Sequence, residues 1–395
     1  MTAEPSSAGA LQRARYPAEG ADGLGVVLTG GGARAAYQVG VLAGLAELYP
    51  DLQIPYLTGF SAGAVNVAHL ASHHGTMRQA MEELCALWAE LEPQRIYRVD
   101  PASLGWIGAR VLMQLATGGR SPGREVRSLL DTTPLRRFLE EALAAVDGKI
   151  TGIDANVRQG RLRAAALTTT SYTTGETVVW VEGCDVRPWE RPRRLARHAE
   201  LTVEHVMASS ALPFFFPAIQ LEDGWYGDGQ VRLTTPISPA LHLGATRVLA
   251  ISTKARVPAG PRAPHVKGYP PPAQVAGIML NAVFLDMLDQ DALRLERLNR
   301  LLERLPADER DSLRLIKLLV IRPSRDLASL ANDYEPRMPR TIRYLVHGLG
   351  SRRTRSPDVL SMLMFQSDYL ARIIDLGRED ARHHAEPLAA LIEGD

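Results

Sequence analysis

Apolar and polar positions in this chain follow two periods in turn. From Leu24 to Thr29 a short apolar run with two valines stops at three glycines, and apolar residues then return at helical spacing as Tyr37, Val39, Val41, Leu42 and Leu45. That reads as strand, glycine turn, helix. The plan repeats at once: Ile54–Thr58 predicts a strand, Gly59–Gly63 a sharp turn and Ala64–Ala71 a helix of small residues. Two such units in succession predict a parallel sheet flanked by helices.

Met77–Leu91 carries helix-period apolar positions, and Arg98–Gly123, rich in Gly, Arg and Ser, predicts a loop with short helices. Further strands are expected where β-branched residues concentrate, at Leu162–Thr169, Glu176–Val181, Ala218–Leu221, Trp225–Tyr226 and Arg247–Thr253. The sheet should hold at least five strands. The Arg-rich stretch Arg187–Arg197 reads as a solvated loop rather than a lipid or nucleic-acid patch. Between Val257 and Pro272 stand six prolines and two glycines, which predicts a linker or long surface loop over 256–272. Beyond it, Ala273–Leu305 and Ser356–Arg382 have helical period, so 273–395 is expected to be mostly helical. One apolar run inside it, Leu315–Ile321, could return a strand to the sheet.

The chain has 395 residues, 46% of them hydrophobic and 23% charged, the mix of a packed globular protein. Lys and Arg number 45 against 44 Asp and Glu, a net charge of +1, so no overall field draws the chain to nucleic acid or to an anionic membrane. Any such contact needs a local patch. Two cysteines, Cys85 and Cys184, build neither a disulfide framework nor a paired metal motif, which predicts a reducing, cytoplasmic setting and no zinc. The first 23 residues contain Glu4, Glu19 and Asp22 but no apolar run, and are expected to form a loose tail rather than a signal peptide. No stretch approaches the ~18 consecutive apolar residues of a membrane span, so lipid contact would be peripheral.

Gly59-Phe60-Ser61-Ala62-Gly63 fits a nucleophile elbow, in which Ser61 sits on a strained strand-to-helix turn and Gly59 and Gly63 let the two elements approach. The alternative is a tight turn with an incidental serine. Gly30-Gly31-Gly32-Ala33-Arg34, also between strand and helix, can aim several N–H groups at one anion, either a phosphate or an oxyanion. A P-loop would need a Lys that is absent. A dinucleotide fold would need a third Gly where Ala35 stands and an acid about 20 residues on, and Asp51 lies in a Pro-Asp turn instead. Paired with Ser61, the loop reads better as an oxyanion hole. Arg34 would add positive potential there or make a surface salt bridge.

A serine needs a base. Asp223-Gly224 lies between two β-type runs and fits a hairpin turn, whereas Asp228-Gly229 ends the second run, where a carboxylate can face Ser61. Asp228 is therefore the candidate base. His242 keeps a Ser, Asp, His order and leaves an α/β-hydrolase-type triad open.

Together these pieces resemble the patatin-like phospholipase family. In that family a glycine-rich oxyanion loop, a Gly-x-Ser-x-Gly elbow and a later Asp-Gly-Gly or Asp-Gly-Ala motif form a Ser–Asp dyad. Here the matches are Gly30 to Arg34, Gly59 to Gly63, and Asp228-Gly229, in that order, and Ala208-Ser209-Ser210-Ala211-Leu212-Pro213 looks like the family's approach to its aspartate. The resemblance covers about residues 24–255. It departs at Ala35, which replaces the last glycine of the loop pattern, and at Gln230, which stands where the family has Gly or Ala.

The resemblance implies a three-layer α/β/α fold with a mainly parallel central sheet, plus the helical C-terminal region. It also implies a serine acyl hydrolase of phospholipase A, lysophospholipase or esterase type, acting on a lipid or fatty-acyl ester without metal or organic cofactor. Ser61 would attack the ester, Asp228 would take its proton, and N–H groups around Gly31 and Gly32 would hold the oxyanion. The rival readings are a noncatalytic phosphate- or nucleotide-binding module built on Gly30–Gly32 and a lipid-binding scaffold with a decayed site.

Other features read as structural. Phe214-Phe215-Phe216 would line an acyl pocket or, more commonly, a core strand. His69 should face away from the elbow. The apolar stripe through Met279, Val283, Met287 and Leu288 fits a core-facing helix better than a membrane-contacting lid.

Overall fold

The structure is a computed structural model that describes residues 23–98, 128–310, 313–338, 343 and 358–394, with gaps at 214, 223 and 256–286. The described strands form one mixed sheet: β1 Leu24–Leu28, β2 Tyr56–Phe60, β3 Ala164–Ser171, β4 Thr177–Gly183, β5 Glu190–Arg191, β6 Arg194–His198, β7 Ile219–Leu221, β8 Gly224–Asp228, β9 Arg247–Ile251 and β10 Lys317–Ile321. Along the sheet the order is β10-β9-β1-β2-β3-β4-β6-β5, and β8 pairs with both β3 and β7. From β10 to β3 every neighbouring pair is parallel, and β4 and β8 join β3 antiparallel.

Layering follows from the pleat. Val26 and Leu28 belong to one core with Leu57, Ala165 and Leu167, while Val27 faces the other core with Tyr56, Ala166, Val248 and Ala250. Helices α1 Ala36–Leu48, α2 Ala62–Ser72 and α3 Met77–Ala89 cover the first face. Helices Ser238–Leu243 and Met287–Leu302 cover the second. Burial on both faces explains why the central strands read as unbroken apolar runs. The protein is thus a three-layer α/β/α fold with a mostly parallel central sheet and a helical C-terminal region.

Strand β2 starts at Tyr56, later than the apolar pattern suggests, because Pro55 has no N–H to give to the ladder. The expected Leu315–Ile321 run forms β10, parallel to β9. Arg187–Arg197 is not wholly a loop: β5 and β6 lie within 190–198, and β6 extends the sheet beside β4. Arg197 sets its guanidinium over the Trp180 ring, 5.7 Å from the centroid. Charged residues on an edge strand also discourage further pairing. The loop expected from Arg98 to Gly123, the 256–272 linker and the 279–286 part of the apolar stripe lie outside the described residues, apart from Arg98. Leu288, at the end of that stripe, is in the second core.

At the C-terminal end, Ser367–His383 packs along α1, with Tyr37 donating to Asp380 at 2.8 Å and Arg382 pairing with Glu47 at 2.9 Å. Among the described residues no helix is long and apolar enough to cross a membrane, and no cluster of side chains could hold a metal ion.

Candidate active site

Parallel strands end together, and their ends carry the motifs. Leu28 of β1 is in register with Gly59 of β2, so the glycine loop after β1 and the turn after β2 emerge side by side. Phe60 pairs with Thr168 of β3, and the next residue of β3, Thr169, pairs with Asp228. Because β8 runs antiparallel to β3, its last residue arrives at that same edge.

Ser61 has φ 54° and ψ −136° and is buried between β2 and α2. A serine pays strain of about 1–3 kcal/mol for such a backbone, so its surroundings must hold it there. Three contacts do so. Its N–H donates to the carbonyl oxygen and to Oγ of Ser209, each at 3.1 Å, and its carbonyl accepts from the Ser210 hydroxyl at 3.0 Å. Ser209 Oγ in turn donates to the Thr168 carbonyl at 2.7 Å. Gly63 allows the turn to lie on β1, since a Cβ there would come within 2.6 Å of the Thr29 carbonyl.

Asp228 is wholly buried, at 0% exposure. Its backbone N–H donates to the Ala211 carbonyl at 3.1 Å, and its carbonyl accepts from Thr170 Oγ1 at 2.9 Å. Oδ1 accepts from the Gln230 N–H at 2.9 Å. Oδ2 has no hydrogen-bond partner among the described residues. Burial pushes the carboxyl up to about 7, opposed by the Ser61 hydroxyl and then by the Gln230 N–H. Ser61 is thus near enough to favour the carboxylate electrostatically, while the geometry shows no closed hydrogen bond to Oδ2. The two side chains are apposed with no hydrogen bond closed between them.

The glycine loop closes the third side. Gly30 lies against Ser61, whose Cβ is 2.8 Å from where a Gly30 Cβ would stand, and the Gln230 carboxamide fills the adjoining space. Thr253 Oγ1 fixes the loop by donating to the Gly30 carbonyl at 2.7 Å. A 3₁₀ turn, Gly32–Ala35, then leads into α1, and no side chain caps its start. Gly32 needs its freedom: φ is 56° and a Cβ would meet the Met362 carbonyl group. Ala35 has φ −66°, so the departure from glycine costs the backbone nothing. Arg34 is buried, and its Nε donates to Ser361 Oγ at 2.7 Å.

Ser61 and Gly32 open onto a narrow apolar pocket with a cavity volume of about 60 Å³, walled by Trp88, Phe138, Phe216, Leu363 and Phe365 among others. The Phe214–Phe216 segment divides: Phe216 lines the pocket, Phe215 is in the core and Phe214 lies outside the described residues. No strand forms there.

Residues 26–241, more than half of the chain, match the family model described as patatin-like phospholipase. The chain belongs to that family. No curated protein matches it. Among solved structures, this patatin-like chain is similar to human GIVD cytosolic phospholipase A2, at 12% identity and TM-score 0.45, over 94% of its own length and 60% of the human chain. The same human enzyme in complex with methyl gamma-linolenyl fluorophosphonate gives 14% identity and TM-score 0.44, over 94% and 59% of the two chains. VipD from Legionella pneumophila gives 12% and 0.35, over 92% and 66%. The chain therefore spans about three-fifths of the length of the human enzyme.

His242 stacks on Trp189 at 4.8 Å, and its Nδ1 lies 2.8 Å from the Ser238 carbonyl. Among the described residues no histidine is among the groups that shift Asp228. His69 is buried with Nε2 3.2 Å from the Ala80 carbonyl. The expected Asp223-Gly224 turn does join β7 to β8, although Asp223 itself lies outside the described residues.

Sequence reasoning missed the work of Ser209, Ser210, Thr170 and Thr253. Their side chains hold backbone from remote parts of the chain, which no spacing rule reports.

Proposed function

We propose that the chain is a serine lipid acyl hydrolase in which Ser61 and Asp228 form a catalytic dyad. The observation that carries this reading is one arrangement: a serine strained at an elbow, beside a fully buried carboxylate with one open oxygen, at the head of an apolar pocket. Family membership supports it.

The chemistry runs in two halves. Asp228 accepts the Ser61 proton as Oγ attacks the ester carbonyl, and the oxyanion rests on first-turn N–H groups of the Gly30-Gly31-Gly32-Ala33-Arg34 loop. Collapse releases the alcohol, which takes the proton from Asp228, and leaves an acyl-serine. Water then gives its proton to Asp228 and attacks the acyl group, and Ser61 regains a proton as the fatty acid leaves. A carboxyl that titrates near 7 is a better base at neutral pH than an ordinary aspartate. The gap between Ser61 and Asp228 fits a bond that tightens once substrate is bound.

The substrate we propose is a fatty-acyl ester of a lipid, met at a membrane surface. Against a phosphate-binding module stands the apolar lining of the pocket that Gly32 and Ser61 share. Gln230 is the feature closest to a decayed site, yet its N–H supports Asp228 rather than displacing it.

Release of fatty acid from a panel of phospholipids, lysophospholipids and neutral lipids tests the reading. Wild type should release fatty acid from at least one lipid, and Ser61→Ala should release none above background. Equal release by the two proteins would refute the proposal.

A further inference from the structure

One wall of the apolar pocket comes from outside the residues that match the family. Met362, Leu363 and Phe365 line it, more than a hundred residues past the end of the match at 241. Trp88, Phe138 and Phe216 line the same space, which reaches Ser61.

Buried contacts lock this short segment in place. The Arg34 guanidinium, taken out of water, donates to Ser361, and a buried cation holds such a partner firmly because losing it is costly. The Met362 carbonyl group sits directly on Gly32 of the glycine loop. Tyr97 donates to the Leu363 carbonyl at 3.1 Å, and its ring stands 6.4 Å from both Phe216 and Phe365, tying the two walls together. The segment is therefore tied both to the glycine loop and to Tyr97, and cannot shift without breaking these contacts. An acyl chain whose carbonyl must reach Ser61 can extend only as far as a fixed wall allows.

We propose that Ser361–Phe365 is the chain-length gauge of the site, with Leu363 and Phe365 setting the longest fatty acyl chain the pocket accepts. This rests on the hydrolase reading of Ser61. The side chains act by volume alone: each methylene that fits gains about 0.8 kcal/mol, a factor of about four in affinity, and each that does not fit gains nothing.

The test is calorimetry on the full chain carrying Ser61→Ala, titrated below micelle formation with saturated fatty acids from butanoate to hexadecanoate. Affinity should rise about fourfold per methylene up to a limiting length and then level off. Adding Leu363→Ala or Phe365→Ala should move that limit longer by about one or two methylenes, and Leu363→Trp should move it shorter. Thermal melts establish that each variant is folded. If Leu363→Ala does not fold, Leu363→Val carries the same test with a smaller shift. An unchanged limit in the folded variants, or no fatty-acid binding to the Ser61→Ala protein, would overturn the gauge. Binding is measured without turnover, so the two claims fail separately. An active wild type with an unmoved limit rejects only the gauge, and a moved limit in a protein that hydrolyses no ester rejects only the hydrolase.

Discussion

Ser209 holds the backbone N–H of Ser61 twice, through its carbonyl oxygen and its Oγ, each at 3.1 Å. Its hydroxyl also reaches the Thr168 carbonyl on β3, while Ala211, two residues on, accepts from the Asp228 N–H. One short segment therefore positions both members of the proposed dyad, although it supplies neither.

Ser209→Ala should separate positioning from chemistry. Loss of a buried hydroxyl that both donates and accepts is expected to cost about 1–3 kcal/mol in chemical denaturation. If the elbow relaxes, kcat for a soluble ester should fall about tenfold with KM nearly unchanged. A normal kcat in a destabilised protein would make Ser209 purely structural.

Asp228→Asn keeps the shape of the side chain and removes the base. Ester hydrolysis should drop about 10³- to 10⁴-fold, and the wild-type rate should climb with pH through about 7 as Asp228 ionises. Stability carries its own signature. The folded carboxyl titrates near 7, above its ordinary value of 3.8, so its contribution is complete below about 3.8 and is lost as pH rises to about 7. The asparagine variant should therefore gain in melting temperature relative to wild type between about pH 4 and pH 8. Glu182, also raised to about 7 by burial, titrates over the same window, so Glu182→Gln should be melted alongside.

Much of this site was readable in the residues, for definable reasons. The turns after β1 and β2 announce themselves because glycines interrupt apolar runs, and buried parallel strands leave such runs unbroken. Asp228 could be separated from Asp223 because in the sequence one closes an apolar run and the other stands between two. What could not be read is whatever joins distant segments: the bond from Arg34 to Ser361 and the seat of Gly32 on Met362. Local periodicity carries no information about partners hundreds of residues away.

Ala35 offers a sharp check on the loop. With φ at −66° and its methyl packed in the core, Ala35→Gly adds unfolded-state freedom and leaves a small void, so it should cost about 1–2 kcal/mol and leave kcat/KM unchanged. A marked gain in activity would mean that the loop works in another backbone conformation.

His242→Gln should lose the stack on Trp189, about 0.5–1.5 kcal/mol of stability, with kcat/KM within about twofold of wild type. Abolished activity in a folded variant would favour a triad over the dyad.

The most direct measurement is labelling of the full chain by an alkyl fluorophosphonate, followed by peptide mapping. The dyad account predicts a single phosphonylated residue, Ser61, with no labelling of Ser61→Ala and much slower labelling of Asp228→Asn. Equal labelling of wild type and Ser61→Ala would contradict it.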